Sequence, residues 1–362
     1  MYYLVYLTER CNLACAYCES PGIKRRLPQD ASFDLEALIR FLAADPELSL
    51  WFFGGEPLLR ADLVAALLAR LRPVHVMLQT NGFFLDRLSD AALAKIDVIA
   101  VSLDGPRPVT DRGRGAGTYD TVLREVAALR KRPYAGHIDV RLTVNPGTEV
   151  QKVVQHFLGE CEVAFDAVHW QLNALFHPQP WVDAKATIRK WFARSYNPQV
   201  SALVALWAEA LAAGRLIQIV PFARLMHSLL THETMAHLRC GAGSQMWAVT
   251  TDGSIFPCPA LRIYPQHKTG SIETMLPADL GRDDVLTGPC ASCEVRALCG
   301  GRCLYANRHN EWDAEGFALV CDSVKHLIHA LEAVVPVAAA AIDRGQVRLE
   351  DFRARRDYEV IP

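Results

Sequence analysis

The chain lacks a pronounced charge of either sign. Lys and Arg number 38 against 40 Asp and Glu, a formal net charge of -2, with a pI near 6.6. No global basic field therefore draws it to nucleic acid or to an anionic membrane. It also lacks a long uninterrupted apolar run: the Ala-rich stretch Val334–Ile342 is far shorter than a bilayer requires. The apolar stretch Met1–Leu7 is too short for a signal-peptide core and has no basic segment ahead of it. No internal repeat is evident. These absences lead us to expect a cytoplasmic protein with no nucleic acid and no membrane among its partners. A hydrophobic content of 51% over 362 residues excludes disorder. It supports a large core, as two domains or as one domain with an extension.

Cysteine, by contrast, is plentiful. Eleven of them in a chain without a signal sequence argue for metal or redox use over structural disulfides. The first three form the run Cys11-Asn-Leu-Ala-Cys15-Ala-Tyr-Cys18, a C-x3-C-x2-C spacing. A cubane iron–sulfur cluster is normally closed by four cysteines, so three leave one iron with an open position where a substrate can bind. Zinc is the competing reading, but structural zinc sites are closed by a fourth Cys or His. None is near, because the next histidine is His75. Glu19–Gly22 reads as a loop leading into the basic patch Lys24–Arg26.

The first half alternates β-rich runs with amphipathic helical patterns, the sequence form of a parallel α/β sheet. Expected strands are Tyr2–Leu7, Leu50–Phe53, His75–Gln79, Val98–Leu103, Ile138–Val144 and Val168–Leu172. Helical spacing covers Phe33–Ala44, Ala61–Leu71, Asp90–Lys95, Tyr119–Arg130 and Val150–Leu158. From Pro178 the alternation stops in favour of a helical stretch bearing Trp181, Trp191 and Trp207, tryptophans more often core than contact residues. Another helix is expected over Phe222–His237. The expected domains are residues 1–180, a helical bridge 181–238, a Cys-rich domain 239–325, and a C-terminal helix and tail 326–362. In that last helix Pro336 should form a kink or break.

Polar motifs stand at the expected strand ends. Phe53-Gly54-Gly55-Glu56-Pro57 follows the second strand; its glycines allow close backbone approach, and a carboxylate beside backbone carbonyls complements an ammonium. After the fourth comes Ser102-Leu103-Asp104-Gly105-Pro106, with Ser102 and Asp104 on one side of the strand. Each motif alone reads equally well as a turn. Gln79-Thr80-Asn81-Gly82 and Asn145-Pro146 are weaker, since Asn-Gly and Asn-Pro are common turn formers.

Together these residues resemble the radical S-adenosylmethionine (SAM) superfamily. The C-x3-C-x2-C run matches its signature, including the aromatic Tyr17 before the last cysteine. Gly54-Gly55-Glu56-Pro57 is similar to its GGEP motif, and Ser102 to Gly105 to its SxDG pattern, with Asp111, Arg114 and Gly117-Thr118-Tyr119 following. The resemblance implies an α/β fold, a partial (β/α)6 barrel, with chemistry at the C-terminal ends of the strands. It implies that Cys11, Cys15 and Cys18 hold a [4Fe–4S] cluster whose open iron chelates SAM. Gly54, Gly55 and Glu56 would then bind the methionyl ammonium, and Ser102 and Asp104 the ribose. Arg114, with Arg112 as the alternative, would take the carboxylate. Thr80 and Asn81 would line the pocket, and Leu172 would pack on the adenine.

The remaining cysteines extend the resemblance to Cys321. Cys240-x12-Gly253-x4-Cys258, then Cys290-x2-Cys293-x5-Cys299-x3-Cys303, then Cys321 is similar to the SPASM extension of radical SAM enzymes that modify peptides and proteins. Zinc stays open from spacing alone, because Cys290-x2-Cys293 is ribbon-like. The SPASM resemblance implies two auxiliary [4Fe–4S] clusters. One would be closed by Cys290, Cys293, Cys299 and Cys321. The other would be held by Cys240, Cys258 and Cys303 and left incomplete unless a non-cysteine group or the substrate fills it, because Met246 stands where some relatives carry a further cysteine. Cys161 fits no cluster pattern and reads as a buried inert thiol.

A 5′-deoxyadenosyl radical and auxiliary clusters that take up an electron imply net oxidation of a peptide or small protein, such as thioether or carbon–carbon crosslinking. An external carrier of the flavodoxin or ferredoxin type would supply electrons. Pro259, directly after Cys258, stands where sulfatase maturases carry an acid, so no catalytic base is assigned. The chain starts at its first strand, so peptide recognition is expected from the Trp181–Trp207 stretch, the C-terminal tail or a separate protein. The alternatives are a radical SAM enzyme acting on a small molecule or nucleotide, and a non-catalytic iron–sulfur carrier or zinc scaffold.

Overall fold

Short runs of aromatic and β-branched residues become strands because their side chains fit a pleated, buried surface. The computed structural model describes residues 1–18, 27–173, 178–309, 313–353 and 361–362. The loop Glu19–Gly22, the patch Lys24–Arg26, the Trp181 side chain and much of the tail beyond Arg353 lie outside that description. The six expected strands form as β1 (Tyr2–Tyr6), β2 (Ser49–Phe53), β3 (His75–Thr80), β4 (Val98–Ser102), β5 (His137–Val144) and β6 (Ala167–Leu172), each end within one residue of expectation.

Two compact units divide the chain. The first comprises Met1–Val140, Glu162–Phe165 and Gly241–Val285, and the second Arg141–Cys161, Asp166–Cys240 and Leu286–Pro362. In the first unit β1 to β4 pair in parallel, with Leu4 beside Trp51, Trp51 beside Met77 and Met77 beside Val98. Parallel pairing puts the C-terminal ends of all four strands at one edge, where the Gly54–Glu56, Thr80–Asn81 and Ser102–Asp104 motifs follow. One sheet face meets the helices: Tyr3 donates to Asp45 Oδ2 at 3.0 Å and packs edge-on against Phe41 in helix Leu35–Ala43. That helix starts where Asp34 accepts from the Glu36 N–H at 3.1 Å. Buried on both faces, the strands read as near-continuous apolar runs.

Three further strands come from the Cys-rich region, where none was expected. β7 (Met246–Val249) pairs in parallel with β1, Tyr2 beside Met246, and β8 (Ser254–Phe256) and β9 (Gly270–Ser271) follow antiparallel. The run Met246-Trp-Ala-Val249 is too short to announce itself, yet it covers what would otherwise be an open edge of β1. Met246 is accordingly a buried strand residue, 4% exposed. A second unexpected element is helix Arg107–Arg114.

The second unit is largely helical, with Asn197–Ala212, Val220–Thr231, Asp313–Glu332 and Val335–Asp343. The helix expected over Phe222–His237 ends early, at Thr231, because His232 turns left-handed at φ 53°. Pro336 lies in the first turn of a new helix, where its missing N–H costs nothing, so the break falls at Ala333–Val334. Trp191 and Trp207 are core residues, 8% and 0% exposed. Asp313–Asp343 contains an 18-residue stretch with a mean hydropathy of 1.4, long and apolar enough to cross a membrane by length and composition alone. Its stripe Val320, Val324, Leu327, Ile328 and Leu331 is instead buried, packed on Asn197–Ala212 and Val220–Thr231.

Candidate functional site

The loop after β1 carries the three cysteines, and backbone contacts hold it in place. Gly55 and Glu56 donate their N–H groups to the carbonyls of Thr8 and Arg10, each at 2.8 Å. A Cβ at Gly54 would stand 2.3 Å from the Thr8 carbonyl oxygen, and one at Gly55 2.2 Å from that of Arg10. Both positions therefore require glycine: they let the β2 end dock directly on the cysteine loop. On its far side the loop is pinned by the Ala16 N–H, which donates to the Gly113 carbonyl at 2.8 Å.

Cys11 Sγ accepts from the Leu13 N–H at 3.4 Å and from Asn81 Nδ2 at 3.6 Å, donors of the kind that tune an iron–sulfur centre. Burial pushes the Cys11 and Cys15 thiols up, and neighbouring members of the trio push them further. Three cysteines on one short loop are a donor set that fits a metal cluster. Among the described residues no three His, Cys, Asp or Glu converge closely enough for a single ion.

Glu56 is fully buried. Its Oε1 accepts from the Leu58 N–H at 3.0 Å and from Thr80 Oγ1 at 2.8 Å, and its Oε2 accepts from the Asn81 N–H at 2.7 Å. Burial nevertheless lifts its carboxyl to about 7 against those donors. Thr80 and Asn81 thus support Glu56, and Asn81 also reaches Cys11.

The β4 end builds a second carboxylate centre. Asp104 Oδ1 accepts from Arg114 Nη2 at 2.8 Å, and Oδ2 accepts from Arg114 Nε at 3.0 Å and from the Tyr17 hydroxyl at 2.6 Å. Arg114 is 8% exposed, while Arg112 points to solvent. Although burial opposes its charge, Asp104 holds Arg114 above its ordinary value. Burial and Asp104 raise the Tyr17 phenol against the pull of Arg114, so it stays a donor. Asp104 is thus engaged by two neighbours, and Ser102, 8% exposed on the same strand face, completes the motif. Asp111 accepts from the N–H groups of Gly117 and Tyr119 at 3.0 and 2.9 Å and so starts helix Thr118–Leu129.

The radical SAM superfamily model matches residues 5–156, the segment that contains all of these residues. Residues 5–156 therefore form a radical SAM domain. Fe-coproporphyrin III synthase of Methanosarcina barkeri is 32% identical over 144 residues, 38% of this chain and 36% of that protein. Mycofactocin maturase MftC of Mycobacterium ulcerans is 27% identical over 319 residues, 83% of this chain and 82% of that one. Among solved structures, anSMEcpe with bound AdoMet and Cp18Cys peptide superposes with a TM-score of 0.68 at 19% identity, covering 95% of this chain and 99% of that one. The fold is accordingly the partial barrel of radical SAM proteins.

Two residues of the first unit escaped the sequence reading. Glu9, buried just ahead of Cys11, pairs with Arg262, Nε to Oε1 at 3.3 Å, and that guanidinium also lies 4.4 Å from the Tyr6 ring centroid. No local spacing could relate positions 253 residues apart. Leu172, at the end of β6, is in the second unit and 2% exposed.

The second unit gathers Cys290, Cys293, Cys299, Cys303 and Cys321 around one cavity of about 510 Å³, solvent mouth included. Cys321 enters from helix Asp313–Glu332 on the face that also carries Phe317, Val320 and Val324. Burial raises Cys321 to about 12, with Cys290 and Cys299 adding to it, so these thiols also fit a shared metal centre. The first four implied ligands are thus brought together, and Cys303, implied for the other set, lines the same cavity. Cys240 is in the second unit and Cys258 in the first. Cys161 is half-buried, not buried as expected, because it follows a helix end at the surface.

Proposed function

We propose that this radical SAM enzyme oxidatively modifies a peptide or small protein, forming a crosslink such as a thioether or carbon–carbon bond. The five-thiol cavity of the second unit carries the reading: a second iron–sulfur site gives the radical SAM domain an electron acceptor. The long match to mycofactocin maturase and the fold shared with peptide-bound anSMEcpe support it. Cys11, Cys15 and Cys18 would hold the first cluster, which with SAM would supply radical chemistry; Cys290, Cys293, Cys299 and Cys321 would hold one auxiliary cluster and Cys240, Cys258 and Cys303 another, and these would supply electron acceptance.

Around the first site, Glu56 and the Gly54–Gly55 backbone bind the methionyl ammonium. Arg114, fixed by Asp104, takes the carboxylate in preference to exposed Arg112. Ser102 serves the ribose, and Tyr17 closes over Asp104. A small-molecule substrate is the second reading, favoured by the match to Fe-coproporphyrin III synthase within the radical SAM domain. Anaerobic reconstitution with iron and sulfide, then dithionite and SAM, should yield 5′-deoxyadenosine. A cysteine- or aromatic-containing peptide encoded beside the gene should lose two hydrogens in the same reaction. No 5′-deoxyadenosine, or zinc in every site, would sink the enzyme reading; turnover of a porphyrin or nucleotide instead would favour the second.

A further inference from the structure

Beside the five-thiol cavity the backbone makes an unusual turn. Gly300, Gly301 and Arg302 all have positive φ, at 71°, 99° and 43°. Two of the three are glycines, for which this is easy, but an arginine there is strained. The turn follows Cys299 directly, and Gly301 and Arg302 both line the cavity. Successive backbone donors curled in this way make a concave anion site of the type found around iron–sulfur centres.

The side chains continue the same pattern. Arg302 lines the cavity; its Nε donates to the Pro362 carbonyl at 3.0 Å, and its Nη2 is buried with no hydrogen-bond partner among the described residues. Arg239, 7% exposed, reaches the residue just before Cys299. Its Nε donates to the Leu298 carbonyl and its Nη1 to Ser228 Oγ at 3.1 Å, while its Nη2 is likewise buried and unpartnered. A buried guanidinium N–H without an acceptor is costly. Two of them, one in the cavity lining and one on a side chain bonded to the residue before Cys299, mark the place of a bulky anion.

We propose that Arg302 and Arg239 form a cationic shell for the auxiliary cluster on Cys290, Cys293, Cys299 and Cys321, raising its reduction potential so that it acts as the electron acceptor. The proposal rests on the oxidative reading above. A cluster on four thiolates gains one negative charge when reduced, and fixed positive charge and N–H donors in a low-dielectric site favour that state. The electron comes from the substrate radical, which loses one electron and one proton as it becomes product. Arg302 and Arg239 act through the cluster and are positioning residues.

The test is an EPR-monitored redox titration of the reconstituted full chain with Cys11, Cys15 and Cys18 all changed to Ala, leaving only auxiliary iron. Arg302→Gln in that background should lower the ratio of reduced to oxidised cluster at a fixed poise about tenfold, about 59 mV for a one-electron couple. Arg302→Lys, which keeps the charge, should recover most of it. An unmoved midpoint at full iron content overturns the proposal. Should Arg302→Gln fail to bind iron, the unaltered enzyme decides. Its auxiliary cluster must reduce at a higher potential than the SAM-binding cluster, and an equal or lower potential overturns the shell. If the triple variant binds no iron at all, the auxiliary-cluster reading itself has failed, an outcome distinct from a silent Arg302.

Discussion

Arg262 reaches back across 253 residues of chain to the buried carboxylate of Glu9, two positions ahead of the first cluster cysteine. The pair ties the segment following Cys258 to the loop leading into Cys11, and both lie in the first unit. Glu9 is 0% exposed and Arg262 10%, so neither charge is well served by water once its partner is gone. Arg262→Met should therefore destabilise the protein by about 3 kcal/mol, the scale of breaking a buried pair from one side. The double variant Glu9→Gln, Arg262→Met should cost clearly less than the sum of the singles. Thermal melting of the four proteins checks this; strict additivity would show that the pair is not coupled.

Gly55→Ala places a Cβ 2.2 Å from the Arg10 carbonyl oxygen, and backbone cannot give way as a side-chain end can. The cysteine loop should be displaced, with loss of 5′-deoxyadenosine formation and of about one cluster's iron. Iron and sulfide analysis should find auxiliary iron retained. Full iron content with normal SAM cleavage would show that the docking is dispensable.

Arg114→Met and Arg112→Met separate the two candidates for the SAM carboxylate. Loss of a buried charged hydrogen-bonding group should raise KM for SAM tenfold or more at Arg114, whereas exposed Arg112 should leave KM within about twofold. Steady-state kinetics decides it, and the reverse ranking would reassign the carboxylate.

Glu56 makes the iron-free protein pH-sensitive. Burial raises its carboxyl from 4.5 to about 7, so the folded state keeps a proton that the unfolded chain has already released. This contribution to stability is full below pH about 4.5, falls as pH rises to about 7, and is then gone, a change of up to about 3 kcal/mol. Glu56→Gln should lack this slope. Parallel stability–pH curves for the two proteins would contradict the assignment.

Changing Cys11, Cys15 and Cys18 together to Ala should abolish 5′-deoxyadenosine formation while leaving the auxiliary iron signal. Residual SAM cleavage would place the radical chemistry elsewhere.

The six strands were legible because a strand buried on both faces is written as a continuous apolar run between turn residues. Gly54, Gly55, Ser102 and Asp104 were legible for a related reason, since a parallel sheet delivers all strand ends to one edge. β7 was not legible: four residues of Met246-Trp-Ala-Val249 carry too little pattern, and its place beside β1 is a long-range pairing. The role of Asp104 also shifted once folded, because Tyr17 and Arg114 both converge on it.

Local sequence therefore determined the elements, the cysteine spacing and the strand-end motifs, all set by interactions within a few residues of chain. Only the tertiary structure decided which charges meet. Glu9 with Arg262, Asp104 with Tyr17 and Arg114, and Arg239 beside Cys299 are partners made by burial. In a low-dielectric interior a charge must find its counter-charge or hydrogen-bond donors wherever the fold supplies them, however distant in sequence.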